Sequence, residues 1–510
     1  GPGRLTTGNG VHFHICGTVV CPTGVFTDKT LKNHFTRKWD LSNAPSICVH
    51  CSVGCNIIAS ERYGSLRRIM SRFNGAVNGY FICDRGRFGY EFVNDVKRIR
   101  KTKIRFEKNR SLEEVKNELL RSVLEESFSR NKKIIGIGSP RASIESNFAL
   151  SALVGKENFY HGISMKEQRL TKTVLEFLQN SGVLTPSLKQ IEKADAVIIL
   201  DEDLTNTAPM IALALRQAVR NVPDEAAKAK GIPLWNDAPV RKLAQDEKSP
   251  VYIATPYKDG LDEIIIGCTR GIHIYKMRKG QLVRIAESAE LGFAIASSLN
   301  DIKPASKIKI RDRQDLAEKI ALTLKESKNP LIITGINCGD EEIVHSALNI
   351  ARALLSSGTK VMISVVLPES NSMGLAFIPG RPFDDVVSLS ADEKIDILVI
   401  LENDLYRRAV KESIDNLFER SRQIIVLDHL MNKTSLQADI LLPVATFAES
   451  EGTILNNEGR AQRYYKAIES KDQIKESWRW IGDLIRIRDE NYKVIWNGFD
   501  DITALLVNEL

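Results

Sequence analysis

The sequence predicts an α/β protein: a small cysteine-bearing unit, followed by two doubly wound parallel-sheet α/β units. Three observations carry that expectation. Six of the eight cysteines lie in the first sixth of the 510 residues, as Cys16, Cys21, Cys48, Cys51, Cys55 and Cys83, while Cys268 and Cys338 stand alone. From residue 133 onward, short and wholly apolar segments alternate with helical periodicity, the mark of parallel strands covered on both faces. Two of these segments recur in altered form about 200 residues later.

The cysteine-bearing unit centres on SICVHCSVGCN, residues 46 to 56. Eight cysteines in 510 residues are too sparse for a disulfide scaffold, and a bridge from Cys48 to Cys51 would need a strained tight loop. Clustered thiols in such a chain point to metal binding or redox chemistry. The next cysteine is Cys83, in GYFICDRGRFGY, which gives C-x2-C-x3-C-x27-C. Three ligands on one loop can wrap three corners of a site, and the fourth returns from a separate segment to close it. Four thiolates hold either a tetrahedral zinc or a [4Fe-4S] cluster. Structural zinc pairs two short knuckles, whereas a three-and-one division is the iron–sulfur habit. Gly54 and Gly86 beside the thiols let backbone approach the sulfur atoms. A zinc clamp and four unrelated buried cysteines remain the alternatives. His12, His14 and His50 lie nearby, and His50, inside C-V-H-C, reads as a donor to a cluster sulfide or as an ordinary polar loop residue.

Hydrophobic residues make up 43% of the chain, and Lys plus Arg exceed Asp plus Glu by 7. That is mildly basic and not the charge balance of a nucleic-acid-binding protein. The one dense basic run, VKRIRKTKIRFEKNR at 96 to 110, reads as a solvated connector anchored by Ile99, Ile104 and Phe106, or as a docking patch for an acidic partner. No stretch approaches the roughly 18 apolar residues of a membrane span. Residues 1 to 30 lack a basic start followed by an apolar core, so no secretory signal is expected and the thiols are expected to stay reduced. The start, GPGRLTTGNG, has no methionine, and ITALLVNEL at the end sits inside an amphipathic pattern; both read as edges of a longer chain.

The elements then follow in order. SLEEVKNELLRSVLEESF offers a capping box at Ser111 and Glu114, with Leu112, Val115, Leu119 and Val123 at helical spacing. KIIGIG is a short buried strand, FALSALVG a helix, ADAVIIL a second strand and IALALRQAV a second helix. PLIITG, KVMISVV, IDILVIL, QIIVLD and ADILLPV continue the strands, with IVHSALNIARALL between the first two. ADAVIILDEDL (194 to 204) resembles IDILVILENDL (395 to 405), and KIIGIG (133 to 138) resembles PLIITG (330 to 335), which is the internal repeat. Ligands of such sheets bind beyond the carboxyl ends of the strands, here the loops at 138 to 143, 201 to 207, 335 to 340, 402 to 405 and 428 to 435. None carries G-x-G-x-x-G or a Walker loop, and neither G-x-S-x-G nor H-E-x-x-H occurs. Cys338 reads as a packing cysteine rather than a reactive thiol, and Cys268 as core. Residues 268 to 290, with IHIYKMRKGQLVRI, look like a local insertion of strand character.

SICVHCSVGCN, GYFICDRGRFGYEFVN and FAESEGTILNNEGRAQR together resemble the molybdopterin-oxidoreductase superfamily. The last, at 447 to 463, is similar to its E-x-x-G-T-x-x-N-x-E-G-R-x-Q motif. CPTGVFTDKT, RKWDLSNAPSIC, IGIGSPRASIESNFAL and NSMGL narrow the resemblance to the family of G subunits of bacterial NADH-quinone oxidoreductase, respiratory complex I, from about residue 11 to the end. The resemblance implies that Cys48, Cys51, Cys55 and Cys83 hold a [4Fe-4S] cluster. Cys21 then matches the last ligand of a second cluster, whose other ligands belong to a ferredoxin-like segment upstream. It divides the chain into a remnant of that ferredoxin-like domain at 1–44, a 4Fe-4S domain at 45–105 and paired α/β domains at 106–510. The superfamily's molybdenum ligand falls where this chain reads YHGISMKEQ (160 to 168), which offers none; no molybdenum is therefore expected. The superfamily's C-terminal β-barrel domain has no counterpart, and Glu458 and Arg460 should pair locally. The implied role is electron transfer and scaffolding in the NADH dehydrogenase arm of complex I, with no catalytic residue of its own. Implied partners are the flavin- and NADH-binding and ferredoxin-like subunits of the peripheral arm, with no nucleic acid and no membrane span. The implied place is the cytoplasmic side of the bacterial inner membrane. The alternative is a stand-alone molybdopterin-dependent oxidoreductase of the formate dehydrogenase type.

Overall fold

The computed structural model describes residues 36–107, 110–128, 132–246, 248–255, 286–300, 311–389, 393–488 and 496–509. Cys16, Cys21, Cys268, His12, His14 and most of the 268–290 insertion lie outside the described residues. The end of that insertion is not strand: from Ala286 it belongs to the helix Ala286–Leu299.

The chain enters through an antiparallel sheet of Ser42–Ile47, Asn56–Arg62 and Ser65–Ser71. The second and third strands join at Tyr63 and Gly64, with φ of 55° and 76°, the doubly left-handed turn that suits the twist of a hairpin. Ile57 and Ala59 are buried at the period of 2 that a strand expects, whereas Leu66 and Ile69 lie three apart, across a register shift at Ser60 and Glu61. The cysteine loop 48–55 connects the first two strands, closed by Cys48 N–H to Cys55 O at 2.8 Å.

Two further sheets follow, both parallel at their centres. The four-stranded sheet runs Met362–Val366, Pro330–Gly335, Ala196–Leu200, Val251–Ala254. The seven-stranded sheet runs Glu113–Glu114, Lys103–Ile104, Ile440–Pro443, Ser421–Asp428, Ile395–Leu401, Ile134–Ile137, Phe159–Tyr160. Its Lys103 and Glu113 strands are antiparallel additions at one edge. The chain order is interleaved: strands at 134–160 pair with strands at 395–443, and the four-stranded sheet is built from the sequence between them. Both members of the internal repeat are thus real strands, each in the centre of its own sheet.

Helices cover both faces of each sheet. Along Ala196–Leu200, Val197 and Ile199 pack toward Met210, Ile211 and the cysteine unit, whereas Ala196, Ile198 and Leu200 pack toward Ile295, Ile320 and Ala347. Burial on both faces explains why the segment reads as one apolar run. The helix Ile144–Val154 is buried nearly all round, its polar Glu145, Ser146, Asn147 and Ser151 included, because it lies between its sheet and the helix Ser477–Arg488.

Two expectations fail locally. The helix expected at Ser111 begins at Asn117, and Glu113–Glu114 pair as a strand with Lys103–Ile104 instead. Its buried face is Leu120, Leu124 and Phe128, and Leu119 is exposed. Edge pairing has overridden the capping box. In the basic run, Ile99 and Ile104 are buried anchors as expected, but Phe106 is half exposed and Arg98 is buried.

Candidate metal centre and the cavity beside it

Cys48, Cys51, Cys55 and Cys83 come together, each between 4% and 7% exposed. The loop turns on Gly54, whose φ of +63° suits glycine. Cys83 caps the helix Asp84–Phe88, its Sγ accepting the Gly86 N–H at 3.4 Å. A Cβ on Gly86 would lie 3.3 Å from Cys48 Sγ and 3.7 Å from Cys83 Sγ, so glycine brings backbone to sulfur there as the sequence predicts. At Gly54 a Cβ would instead strike Gln462 and Asn456, so its role is the turn and not sulfur approach.

Burial raises the pKa of the Cys48, Cys51 and Cys55 thiols, and the neighbouring sulfurs raise it further. The N–H groups of His50, Val53 and Cys55 act the other way, as does the Arg85 guanidinium on Cys48 and Cys51. Bare thiols here would stay protonated; a bound cationic group turns such a set into thiolates. The donor set, all sulfur and fringed by N–H groups, fits an iron–sulfur cluster.

The segment 447–463 grips the cysteine loop. It forms a hairpin, Gly452–Leu455 against Ala461–Tyr464, turning at Gly459. Asn457 N–H bonds Ser52 O at 2.8 Å, Asn456 Nδ2 bonds Val53 O at 3.2 Å and Gln462 Nε2 bonds Gly54 O at 2.9 Å. Glu449 forms a buried ion pair with Arg98 at 2.7 Å and accepts from Thr446. Arg98 also donates to the backbone oxygens of Val93 and His429. Glu458 and Arg460 pair with each other at 3.2 Å, as expected. Sequence reasoning missed Asn456, Gln462 and Arg98. The first two stood in the motif itself, and the third was hidden in a run of like charges.

A cavity of about 560 Å³ lies beside the loop, at the carboxyl ends of the seven-stranded sheet. His50, Arg85 and Phe92 wall one side, and Arg141, Glu369 and Glu402 face them. Glu369 is half-buried, but Arg408 and Arg141 pair with it and hold its carboxyl below the usual range. Glu402 is pushed up to about 7 by burial, although Ser477 Oγ donates to it at 2.5 Å. Burial, with Arg85 nearby, takes His50 down to about 4. The segment 160–168 turns away from chemistry: His161 bonds Ile378 O at 2.8 Å, and Ser164 Oγ caps the helix Met165–Asn180. Cys338 is pushed up to about 12 by burial, which suits a packing cysteine.

Known proteins match this arrangement. The family model described as the molybdopterin oxidoreductase Fe4S4 domain matches residues 41–95, and that described as molybdopterin oxidoreductase matches residues 273–487. The G subunit of NADH-quinone oxidoreductase from Shewanella oneidensis is 42% identical over 491 residues, covering 95% of this chain and 52% of that protein. The G subunit from Salmonella typhimurium is 41% identical over 493 residues, covering 96% and 53%. That of Escherichia coli strain K12 is 40% identical over 470 residues, covering 91% and 50%. The chain therefore spans about half the length of the curated relatives it matches. Among solved structures, acetylene hydratase from Pelobacter acetylenicus superposes with a TM-score of 0.55 at 10% identity, covering 91% of this chain and 71% of that one, which is a likeness of fold. No described helix is long and apolar enough to cross a membrane. With an Fe4S4-type domain at its cysteine loop and relatives of one kind along nearly its whole length, the chain belongs to the G-subunit family of NADH-quinone oxidoreductases, within the molybdopterin-oxidoreductase superfamily.

Proposed function

We propose that the chain is an iron–sulfur electron-transfer and scaffolding piece of the NADH dehydrogenase arm of complex I. Its Cys48, Cys51, Cys55 and Cys83 hold one complete [4Fe-4S] cluster. When bound, the cluster supplies reversible one-electron storage. The chain's own residues bury the thiols, exclude water and direct N–H groups at sulfur. Cys21 serves a second cluster only together with ligands from upstream sequence. Residues 45–105 act as the cluster domain and 106–510 as the paired α/β scaffold. Partners are the flavin- and NADH-binding and ferredoxin-like subunits of the peripheral arm, at the cytoplasmic face of the inner membrane. No molybdenum is bound, and the chain carries no catalytic residue of its own. The observation that carries this reading is the convergence of four buried thiols under a hairpin from the superfamily motif.

Anaerobic EPR of the dithionite-reduced protein tests it, with iron, zinc and molybdenum counted on the same sample. About four irons, no molybdenum and a reduced-cluster signal lost in Cys83→Ala are expected. Stoichiometric molybdenum would favour a stand-alone oxidoreductase, and one zinc in a colourless protein would make the cysteines a structural clamp.

A further inference from the structure

Three successive peptide units of the cysteine loop are held at their oxygens by one segment, 456–462. Ser52 O, Val53 O and Gly54 O take bonds from Asn457 N–H, Asn456 Nδ2 and Gln462 Nε2 at 2.8, 3.2 and 2.9 Å. A peptide unit is planar, so fixing its oxygen fixes the direction of the N–H at its other end. Those other ends are the N–H groups of Val53, Gly54 and Cys55. Val53 N–H acts on the Cys51 thiol and Cys55 N–H on its own thiol, while Gly54 N–H bonds Cys51 O at 3.4 Å. Two of the three pinned planes therefore aim a donor at sulfur. The pin on the last plane is itself braced. Gln462 is buried, and its Oε1 accepts from Asn56 Nδ2 at 2.6 Å. Asn56 N–H is in turn bonded to Asn78 Oδ1 at 2.8 Å. The contact is close: a Cβ on Gly54 would sit 2.6 Å from Gln462 Nε2.

We propose that Gln462 is a positioning residue for the cluster: by pinning Gly54 O it directs the Cys55 N–H at the Cys55 thiolate, and so tunes the cluster's reduction potential. This rests on the cluster reading above. Donors on thiolate sulfur favour the reduced, more negative state, so weakening them lowers the potential.

The test uses the whole chain with its cluster. Midpoint potential by redox-titrated EPR, iron per chain and thermal unfolding are measured for the wild type and for Gln462→Leu, Asn56→Ser and Arg460→Ala. Gln462→Leu keeps the volume and removes the donor; it should hold about four irons, titrate at a lower potential and show altered g values. Asn56→Ser removes the brace on Gln462, together with the bond that Asn56 Oδ1 accepts from Arg72, and should shift the potential less, in the same direction. Arg460→Ala loses its pairing with Glu458 and should leave the potential in place. An unshifted potential in an iron-loaded Gln462→Leu protein overturns the proposal. So does a Gln462→Leu protein that folds but takes up no iron, because the pin would then serve assembly and not tuning. Should Gln462→Leu fail to fold, Asn56→Ser decides: no shift there overturns the proposal. A wild type without iron would sink the cluster reading itself, a result the variants cannot mimic.

Discussion

The two α/β units reach the same backbone with the same residues and then part. In each, an aspartate at the start of a central strand receives N–H groups from the neighbouring strand's approach. Asp195 takes those of Lys328 and Asn329 at 2.9 and 2.8 Å, and Asp396 takes that of Lys133 at 2.8 Å. In each, the strand ends on an acidic residue in the left-handed region, Asp201 at φ 51° and Glu402 at φ 42°. The next residue differs. In the four-stranded unit it is Glu202, which fills the space over Gly335 and accepts from Asn337 at 3.3 Å. In the seven-stranded unit it is Asn403, whose amide joins Gly138 O and Gly162 O, both at 2.9 Å. Glu402 is left facing the cavity beside the cysteines. A duplicated strand–loop plan thus closes one crevice with its own carboxyl and leaves the other open, and the open one is where the thiols sit.

The largest way to break this asymmetry is to cut the link between the open unit and the helix that follows the cysteine sheet, where Arg98 holds Val93 O. Arg98→Ala leaves Glu449 as an uncompensated buried charge and should cost about 3–5 kcal/mol in urea unfolding. A loss under ~1 kcal/mol would show that this pair does not join the two. Next come the two buried carboxyls. Burial raises both Glu202 and Glu402 from 4.5 to about 7 in the folded protein. The fold therefore favours their protonated forms: the associated stability is full below pH 4.5 and is lost as pH rises through 7. Glutamine mimics the neutral acid, so Glu402→Gln and Glu202→Gln should each be more stable than wild type at pH 8, by up to ~3 kcal/mol, and equal to it at about pH 4. Melting curves at the two pH values check this; a gain in only one variant would mean the two crevices differ in solvent access as well as filling. Asn147 comes third. Its side chain bonds Ser139 N–H and Ser139 O, both at 2.9 Å, in the open unit's first loop. Asn147→Ala should cost about 1–3 kcal/mol, read by the same unfolding assay. The smallest effect is expected at Asp201→Gly, where relief of the left-handed backbone should stabilise the protein by at most ~1 kcal/mol.

Much of the architecture was legible because burial on both faces writes itself as apolar runs: ADAVIIL, PLIITG and IDILVIL are strands where they were expected. The repeat was legible too, since its acidic ends are backbone devices. The four cysteines declared themselves by spacing. What escaped was long-range. Nothing near Glu113 announces that it pairs with Lys103, so a local capping box misled. Arg98 is indistinguishable in sequence from its solvated neighbours, because its partner lies 351 residues away. The roles of Asn456 and Gln462 depend on carbonyls some 400 residues earlier, which no local pattern encodes.

That separation has a consequence for how the protein is made. Gly54 and Gln462 are 408 positions apart, and chains emerge from the ribosome at roughly 5–20 residues per second. The cysteine loop is therefore exposed on the nascent chain for about 20–80 s before the residues that pin it exist. The seven-stranded sheet waits as well, since Ile134–Ile137 find Ile395–Leu401 only after the four-stranded unit between them has been synthesised. Iron delivered early would meet four mobile thiols with no fixed donors. A late delivery, after the 447–463 hairpin has docked, is the order in which the site can receive its metal already shaped.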